Sequence, residues 1–430
     1  MSLRLTGTVA EPDFLFLPWN RSLEEWPEDL VVALPRGISR HVVRFVRING
    51  VVYALKELPE PIAEREYALL WELTRRGVPC VEAAGIVSGR VDATGEELSS
   101  ILVTRHLQFA LPYRALFSST LREDTANRLL DALAALLVQL HLTGFAWNDC
   151  SLSNTLFRRD ADHLAAYLVD AETGEMHDTL TVGQREYDLD TAATHVTGEL
   201  MDLAAGGRLH ESIDPVEIGV SLRSRYDGLW HMLTTPLVIG VEDCYLLDAH
   251  IRQLNERGFD IAELSIVASA DGTRVRVIPK VVDAGHHSRR LLRLTGLDVE
   301  EYQARRLLND LDTFRAQLVA PPEGEDVLAH RWMMERFEWV TARIPRDLRG
   351  KLEPAQVFHE VLEHQWFMSE RAGRDVGLHV ATEDYVTSVL AVKPDEAAVL
   401  GARPGSAVDE TAELRILMPG EPDRETGEQR

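Results

Sequence analysis

Cysteine is scarce in this chain of 430 residues: Cys80, Cys150 and Cys244 are its only three, scattered and without metal-ligand spacing. A disulfide framework and a thiolate zinc site are excluded as organising devices, and a reducing, cytoplasmic setting is expected. Positive charge is short as well. Lys and Arg number 45 against 69 Asp and Glu, a formal net charge of -24. So acidic a surface repels phosphate backbones, which argues against broad nucleic-acid binding. No apolar run reaches the length of a membrane span. The opening MSLRLTGTVAEPDF lacks the positive-then-apolar order of a signal peptide. What is present is an ordinary apolar content of 45%, enough to build cores, in a length that suits two or three domains.

Local patterns give the elements. His41–Arg47 and Val51–Leu58 read as a hairpin, because Asn49-Gly50 supplies the positive φ angles of a tight turn. A helix is predicted from about Pro61, with Ile62, Glu66, Leu69, Leu70 and Leu73 on one face and Gly77 and Pro79 ending it. Ile101–Thr104 is a further strand. Residues 125–142 are apolar nearly all round, the mark of a buried helix, with Asp124 or Thr125 as its cap. Residues 165–169 read as a short buried strand and 186–205 as helix, with Gly206-Gly207 as a boundary. Beyond it, a helix over Leu246–Arg257 and a hairpin about Asp271-Gly272 lead into helices at 298–319, 325–343 and 353–371. A disordered tail is expected from about 401.

Chemistry enters with Lys56 in the strand VVYALKEL. A strand fixes side-chain direction, so a lysine there can reach phosphate oxygens across a cleft. Taken alone, it is as readily a solvated strand lysine. Glu66 lies on the apolar stripe of the next helix, and a buried carboxylate needs a cation; Lys56 is the nearest in sequence. In HLTGFAWNDCSLSNTLF, Asp149 and Asn154 stand five apart in a loop after the buried helix. An aspartate there orients an acceptor hydroxyl and an asparagine binds magnesium, although both types are common in turns. Asp170 ends an apolar strand and offers oxygen to a hard cation. Lysine, glutamate, aspartate, asparagine and aspartate stand in the order used for phosphoryl transfer.

Residues 30–205 resemble the protein-kinase-like superfamily, nearest its small atypical bacterial branches: lipopolysaccharide core sugar kinases, RIO-type kinases and aminoglycoside phosphotransferases. LHLTGFAWNDCSLSNTLF resembles their LHxxGxxHxDxxxxNxL pattern, and EREYALLWEL resembles their αC segment. The whole chain also resembles an actinobacterial family, domain of unknown function 4032, in which a kinase-like half precedes a C-terminal domain. The resemblance implies an α+β, bilobal protein-kinase-like fold followed by a mixed, then mainly helical, domain. The expected divisions are 1–110 (N-lobe), 111–212 (C-lobe), 213–400 (C-terminal domain) and 401–430 (tail). It implies ATP and Mg2+ as cofactors. Lys56, Glu66 and Asp149 match catalytic positions, Asn154 and Asp170 metal positions, and His141 a structural position.

The departures are informative. Trp147-Asn148 replaces the usual His-Arg, which removes the partner of an activation-loop phosphate. Asp170-Ala171-Glu172 replaces the DFG triplet, and Glu172 can add a carboxylate to the metal site. The phosphate-binding loop, Leu34–His41, has a single glycine, Gly37, with Arg36 or Arg40 to assist. Asp188 or Asp190 can anchor the catalytic loop. Three readings follow: a phosphotransferase with an unassigned small-molecule, sugar, lipid or protein acceptor; a nucleotide-binding pseudokinase that meets a protein partner through residues 213–400; and, as the weakest, an ATP-dependent transfer other than phosphorylation, such as adenylylation.

The second half has weaker signals. Gly285–Arg293 (GHHSRRLLR) is an anion site or a solvated helix start, the latter being the commoner case. His359 and Glu363 in HEVLEH share a helix face and can bind a metal, but His364 misses the zinc-protease spacing and such pairs are ordinary on surface helices. Trp332, Trp339, Trp366 and Phe367 are expected in the core or at a domain contact.

Overall fold

The computed structural model describes residues 3–7, 12–32, 41–113, 123–240, 251–252, 254, 259–268, 274–318 and 324–393. The loop with Gly37 and Arg40, the tail from 401, Cys244, most of the helix expected over Leu246–Arg257, and the Asp271-Gly272 turn lie outside them.

The N-terminal lobe is a five-stranded antiparallel sheet. Its strands are β1 (Arg4–Gly7), β2 (Val43–Ile48), β3 (Val51–Leu58), β4 (Glu82–Ser88) and β5 (Ser100–Arg105), in the order β1-β4-β5-β3-β2. The β2–β3 hairpin turns at Asn49 and Gly50, whose φ angles of 50° and 82° are the left-handed pair such a turn requires. Helix α1 (Glu60–Arg75) packs on β4 and β5. Its buried face is Ala63, Glu66, Leu70 and Leu73, and Ile62 and Leu69 flank it. One face of the sheet is closed by Phe14, Trp19 and Trp26 from the preceding segment. The sequence reading found neither β1 nor β4; the Glu-Ala-Ala-Gly start of β4 has little strand character.

The second lobe is helical around short strands. After β6 (Ala110–Pro112), helix α2 (Glu123–Leu142) runs through the lobe with Leu129, Leu133, Leu137 and Leu140 fully buried. It already includes Asp124 and Thr125, so neither caps it, and the buried Thr125 hydroxyl has no partner among the described residues. β7 (Phe145–Ala146) follows, then the hairpin β8 (Thr155–Asp160) and β9 (His163–Leu168), which pairs with β6, and β10 (Glu175–Met176), which pairs with β7. Gly144 is required at its turn: φ is 82°, and a Cβ there would lie 2.1 Å from the His177 carbonyl oxygen. Helix α3 (Val182–Ala205) starts on a Thr181–Gln184 capping box. Helix α4 (Pro215–Thr234), capped by Asp214, packs on α2 and α3 through Leu222, Tyr226 and Leu233. The core of this lobe therefore runs past residue 212.

The C-terminal part begins with an antiparallel sheet of β11 (Leu237–Gly240), β12 (Phe259–Ala268) and β13 (Arg274–Ala284), in the order β11-β13-β12. Helices α5 (His286–Thr295), α6 (Glu301–Gln317), α7 (Glu325–Trp332), α8 (Glu338–Ala342), α9 (Pro354–Ala372) and α10 (Leu378–Ser388) enclose a separate core about Leu307, Leu311, Trp332, Phe358 and Val361. A π turn, Met333–Phe337, joins α7 to α8. Trp332 is buried as expected, whereas Trp366 and Phe367 are 60% and 49% exposed. Phe367 stands nine residues from Phe358 and so half a turn round the helix, away from the core. In GHHSRRLLR, His287 pairs with Glu301 and Arg290 with Glu325.

The β8–β9 hairpin joins the two cores. Asp160, fully buried, accepts the amides of Tyr302 (3.0 Å) and Gln303 (2.6 Å), in place of a cap on α6 itself. Arg158 pairs with Glu300 (3.1 Å) and Glu353 (2.9 Å), and the Tyr167 hydroxyl donates to Glu300.

Candidate active site

Lys56 projects from β3 towards α1, and its ammonium meets three carboxylates: Asp170 at 2.7 Å, Glu66 at 3.1 Å and Glu172 at 3.3 Å. Glu66 is 1% exposed on the buried face of α1, where only a partner of this kind makes a carboxylate tolerable. Glu172 also meets His41, at 3.0 Å. The Glu172 amide donates to Asp170 Oδ1 (3.0 Å), which turns the segment after β9 so that both carboxylates face the lysine.

The electrostatics are uneven. Burial pushes the Glu66 carboxyl up to about 7, the Asp170 charge adds to this, and Lys56 opposes it. Burial pulls the Lys56 ammonium down, but Glu66 and Asp170 together outweigh it and leave it above its ordinary value. Lys56 stays charged, and Glu66 is the member that titrates near neutrality. A carboxyl whose folded pKa is raised contributes stability that is fullest below its unfolded pKa and is lost as pH rises through the folded value. Between about pH 4.5 and about pH 7 the loss from Glu66 is on the order of 3 kcal/mol. We expect Glu66→Gln to flatten that slope, seen as a variant-minus-wild-type difference in denaturant midpoint that grows from pH 5 to pH 8. Parallel curves would show that Glu66 does not titrate in this range.

The loop 147–154 carries the other two candidates. Asn154 Nδ2 donates to the Asp149 carbonyl (3.0 Å) and to Asp149 Oδ2 (3.2 Å). Asn154 stands at the start of β8 and Asp170 lies just past the end of β9; the Val169 amide donates to the Asn154 carbonyl at 3.0 Å. The two proposed metal ligands are thus the two open ends of one hairpin. Trp147, in the place of the usual histidine, is fully buried and its indole N–H donates to the Asp170 carbonyl (2.8 Å). The Thr173 hydroxyl and Asn148 Nδ2 complete the lacing between this loop and the segment after β9.

Helix α3 holds the loop from below with three side chains. Asp188, fully buried, accepts the amides of Trp147 (2.7 Å) and Asn148 (2.8 Å) and meets His141 Nε2 at 3.0 Å. His141 in turn meets the Tyr226 hydroxyl at 2.6 Å, which extends the network to α4. His195 Nδ1 lies 3.4 Å from Asp149 Oδ1. Glu199 accepts the amides of Leu152 (2.7 Å) and Ser153 (3.1 Å) and the Ser153 hydroxyl. Of the two anchor candidates, Asp188 is therefore the one on the loop; Asp190 pairs with Arg223 at the surface. His195 and Glu199 were not found from sequence. The available signal was spacing: 188, 195 and 199 fall on one helical face.

Lys56, Glu66, Asp170 and Glu172 form one cluster, and Asp149 and Asn154 a second at the base of the same hairpin. Gly37 and Arg40 fall outside the described residues. Carboxylate oxygens of Glu66, Asp170 and Glu172 lie within 4.8 Å of one another, a donor set of the hard-oxygen kind that Mg2+ prefers. Acid exceeds base here, so the residues present fit a cation.

Two family models match the sequence. Residues 44–195 match the lipopolysaccharide kinase (Kdo/WaaP) family, a span that holds every candidate from Lys56 to His195. Residues 228–390 match a domain of unknown function (DUF4032). No curated protein matches the chain. Among solved structures, WaaP in complex with acyl carrier protein is similar at 17% identity and a TM-score of 0.33, over 60% of this chain and 99% of that one. In the N-terminal half a β-rich lobe and a helical lobe meet at Lys56. Among the described residues no helix is long and apolar enough to cross a membrane.

Proposed function

We propose that the chain is an ATP- and Mg2+-dependent phosphotransferase acting on a hydroxyl acceptor. The observation that carries this reading is the convergence of Asp170 and Glu66 on the Lys56 ammonium. Lys56 would bind phosphate oxygens, with Glu66 orienting it. Asn154 and Asp170 would hold Mg2+, which when bound supplies charge neutralisation at the phosphates. Asp149 would accept the proton of the acceptor hydroxyl, held by Asn154 and beside His195. Trp147, fully buried, backs the loop through its bond to the Asp170 carbonyl. The acceptor is a small molecule, sugar, lipid or protein, bound with help from residues beyond 213.

One observation favours the second reading, a nucleotide-binding adaptor: Glu172 stands 3.3 Å from the lysine nitrogen, where it competes with phosphate oxygens. Ligand-linked stability tests both readings. At a hundredfold excess over Kd, ATP with Mg2+ is expected to stabilise the wild type by about 2.7 kcal/mol. Lys56→Met and Asp170→Asn should each remove most of that shift. Stabilisation without ATP turnover would favour the adaptor, and a wild type that shows no shift would remove nucleotide binding altogether.

A further inference from the structure

We propose that Asp162, His359 and Glu363 form a second metal site, taking a divalent transition ion of the zinc class, that clasps the β8–β9 turn to helix α9. The site lies in the contact between the two cores and does not depend on the phosphotransferase reading.

The sequence pairs His359 and Glu363 on one helix face but supplies no third ligand and suggests a surface pair. The fold changes both points. His359 is buried, 3% exposed, and Asp162 comes to it from the turn between β8 and β9. His359 Nε2 lies 3.6 Å from Asp162 Oδ1 and 3.8 Å from Glu363 Oε2, with ligand atoms of all three residues within 4.8 Å of one another. These separations exceed the usual N–H···O hydrogen bond of about 2.7–3.2 Å. They are close to the spacing of donors around a tetrahedral zinc, about 3.3–3.6 Å for bonds of 2.0–2.2 Å. A buried imidazole nitrogen thus points between two carboxylates, within ion-pair range of both.

The surroundings suit an ion. Arg306 binds Asp162 through Oδ2, which leaves Oδ1 turned to the histidine and fixes the carboxylate plane. Imidazole nitrogen selects transition metals over Mg2+ and Ca2+, and two carboxylates neutralise a dication. The Asp162 and Glu363 side chains are 36% and 41% exposed, so an ion can enter and a water can complete four-coordination. His364, the near-miss of the zinc-protease spacing, is engaged elsewhere, 2.6 Å from Asp384. The clasp grips the closed end of a hairpin whose open ends carry Asn154 and Asp170. Strands of six residues put the two sites about 20 Å apart.

The test uses the untagged full-length chain, dialysed against chelator and titrated with ZnCl2, with bound metal counted by mass spectrometry and the urea midpoint read with and without the ion. Wild type is expected to retain one zinc equivalent and to gain stability with it. Asp162→Asn and Glu363→Gln, both partly exposed and so compatible with folding, should bind about 10-fold or more weakly. Asp170→Asn should retain the equivalent, which separates this site from the lysine cluster. Wild type that binds none of Zn2+, Co2+ and Mn2+, or full retention of the ion in Asp162→Asn and Glu363→Gln, overturns the proposal, as does its loss in Asp170→Asn alone.

Discussion

Asp149→Asn is expected to lower ATP turnover by about 10²- to 10⁴-fold while leaving nucleotide-dependent stabilisation in place. The substitution is nearly isosteric. It keeps an oxygen for Asn154 Nδ2 and a polar neighbour for His195, so the loop should not move. What it removes is a carboxylate able to take a proton from an attacking hydroxyl or water. Neither Lys56 nor Asp170 is altered, so phosphate and metal binding should persist. Basal ATP hydrolysis gives a readout without knowledge of the acceptor, and a thermal shift with ATP and Mg2+ gives the binding control. Equal turnover in the two proteins would take Asp149 out of the chemistry. A variant that also loses the shift would mean that Asp149 contributes to nucleotide binding, not to proton transfer alone.

The contacts of Lys56 were more legible in the sequence than the long-range pairings around them. Lys56 and Glu66 could be paired because a strand lysine precedes a helix whose apolar stripe contains a carboxylate, and burial of charge demands a partner. Asp149, Asn154 and Asp170 could be grouped by their order, spacing and the resemblance of their loop to a kinase pattern, whereas the hairpin that joins Asn154 to Asp170 emerged only in the fold. Glu172 on the lysine follows from an Asx-type turn only two residues further on. Long-range pairings were not legible. Strand β1 joins the sheet beside β4 through backbone bonds that no side-chain pattern announces. Asp162 meets His359 because two cores dock, and nothing in either local sequence records that contact. Trp366 and Phe367 show the limit of composition: large aromatics predict burial on average, while their position round α9 puts them in water. Asp188 and Asp190 illustrate it most sharply, since two residues of helix decide between the core and the surface.

That pair gives the second large expected effect. Asp188→Ala should cost about 3–5 kcal/mol of stability, because it strands two backbone amides and one imidazole in a fully buried site. Asp190→Ala, which removes a surface pair with Arg223, should stay within about 1 kcal/mol. Urea unfolding of the two variants measures the contrast in matched proteins. Activity should fall with Asp188 for a geometric reason. Asn148 holds a left-handed φ of 62°, and a conformation of that kind in a residue other than glycine persists only where its surroundings fix it. The Asp188 carboxylate supplies that constraint by accepting the consecutive amides of Trp147 and Asn148. Without it the peptide can relax, and Asp149, the next residue, loses its aim. Glu199→Gln provides the comparison: it weakens the grip on Leu152 and Ser153 but leaves the left-handed peptide anchored, so the loss of turnover should be smaller than for Asp188→Ala. Equal stabilities for the Asp188 and Asp190 variants would mean that the loop is held by packing of Trp147 and not by the buried carboxylate.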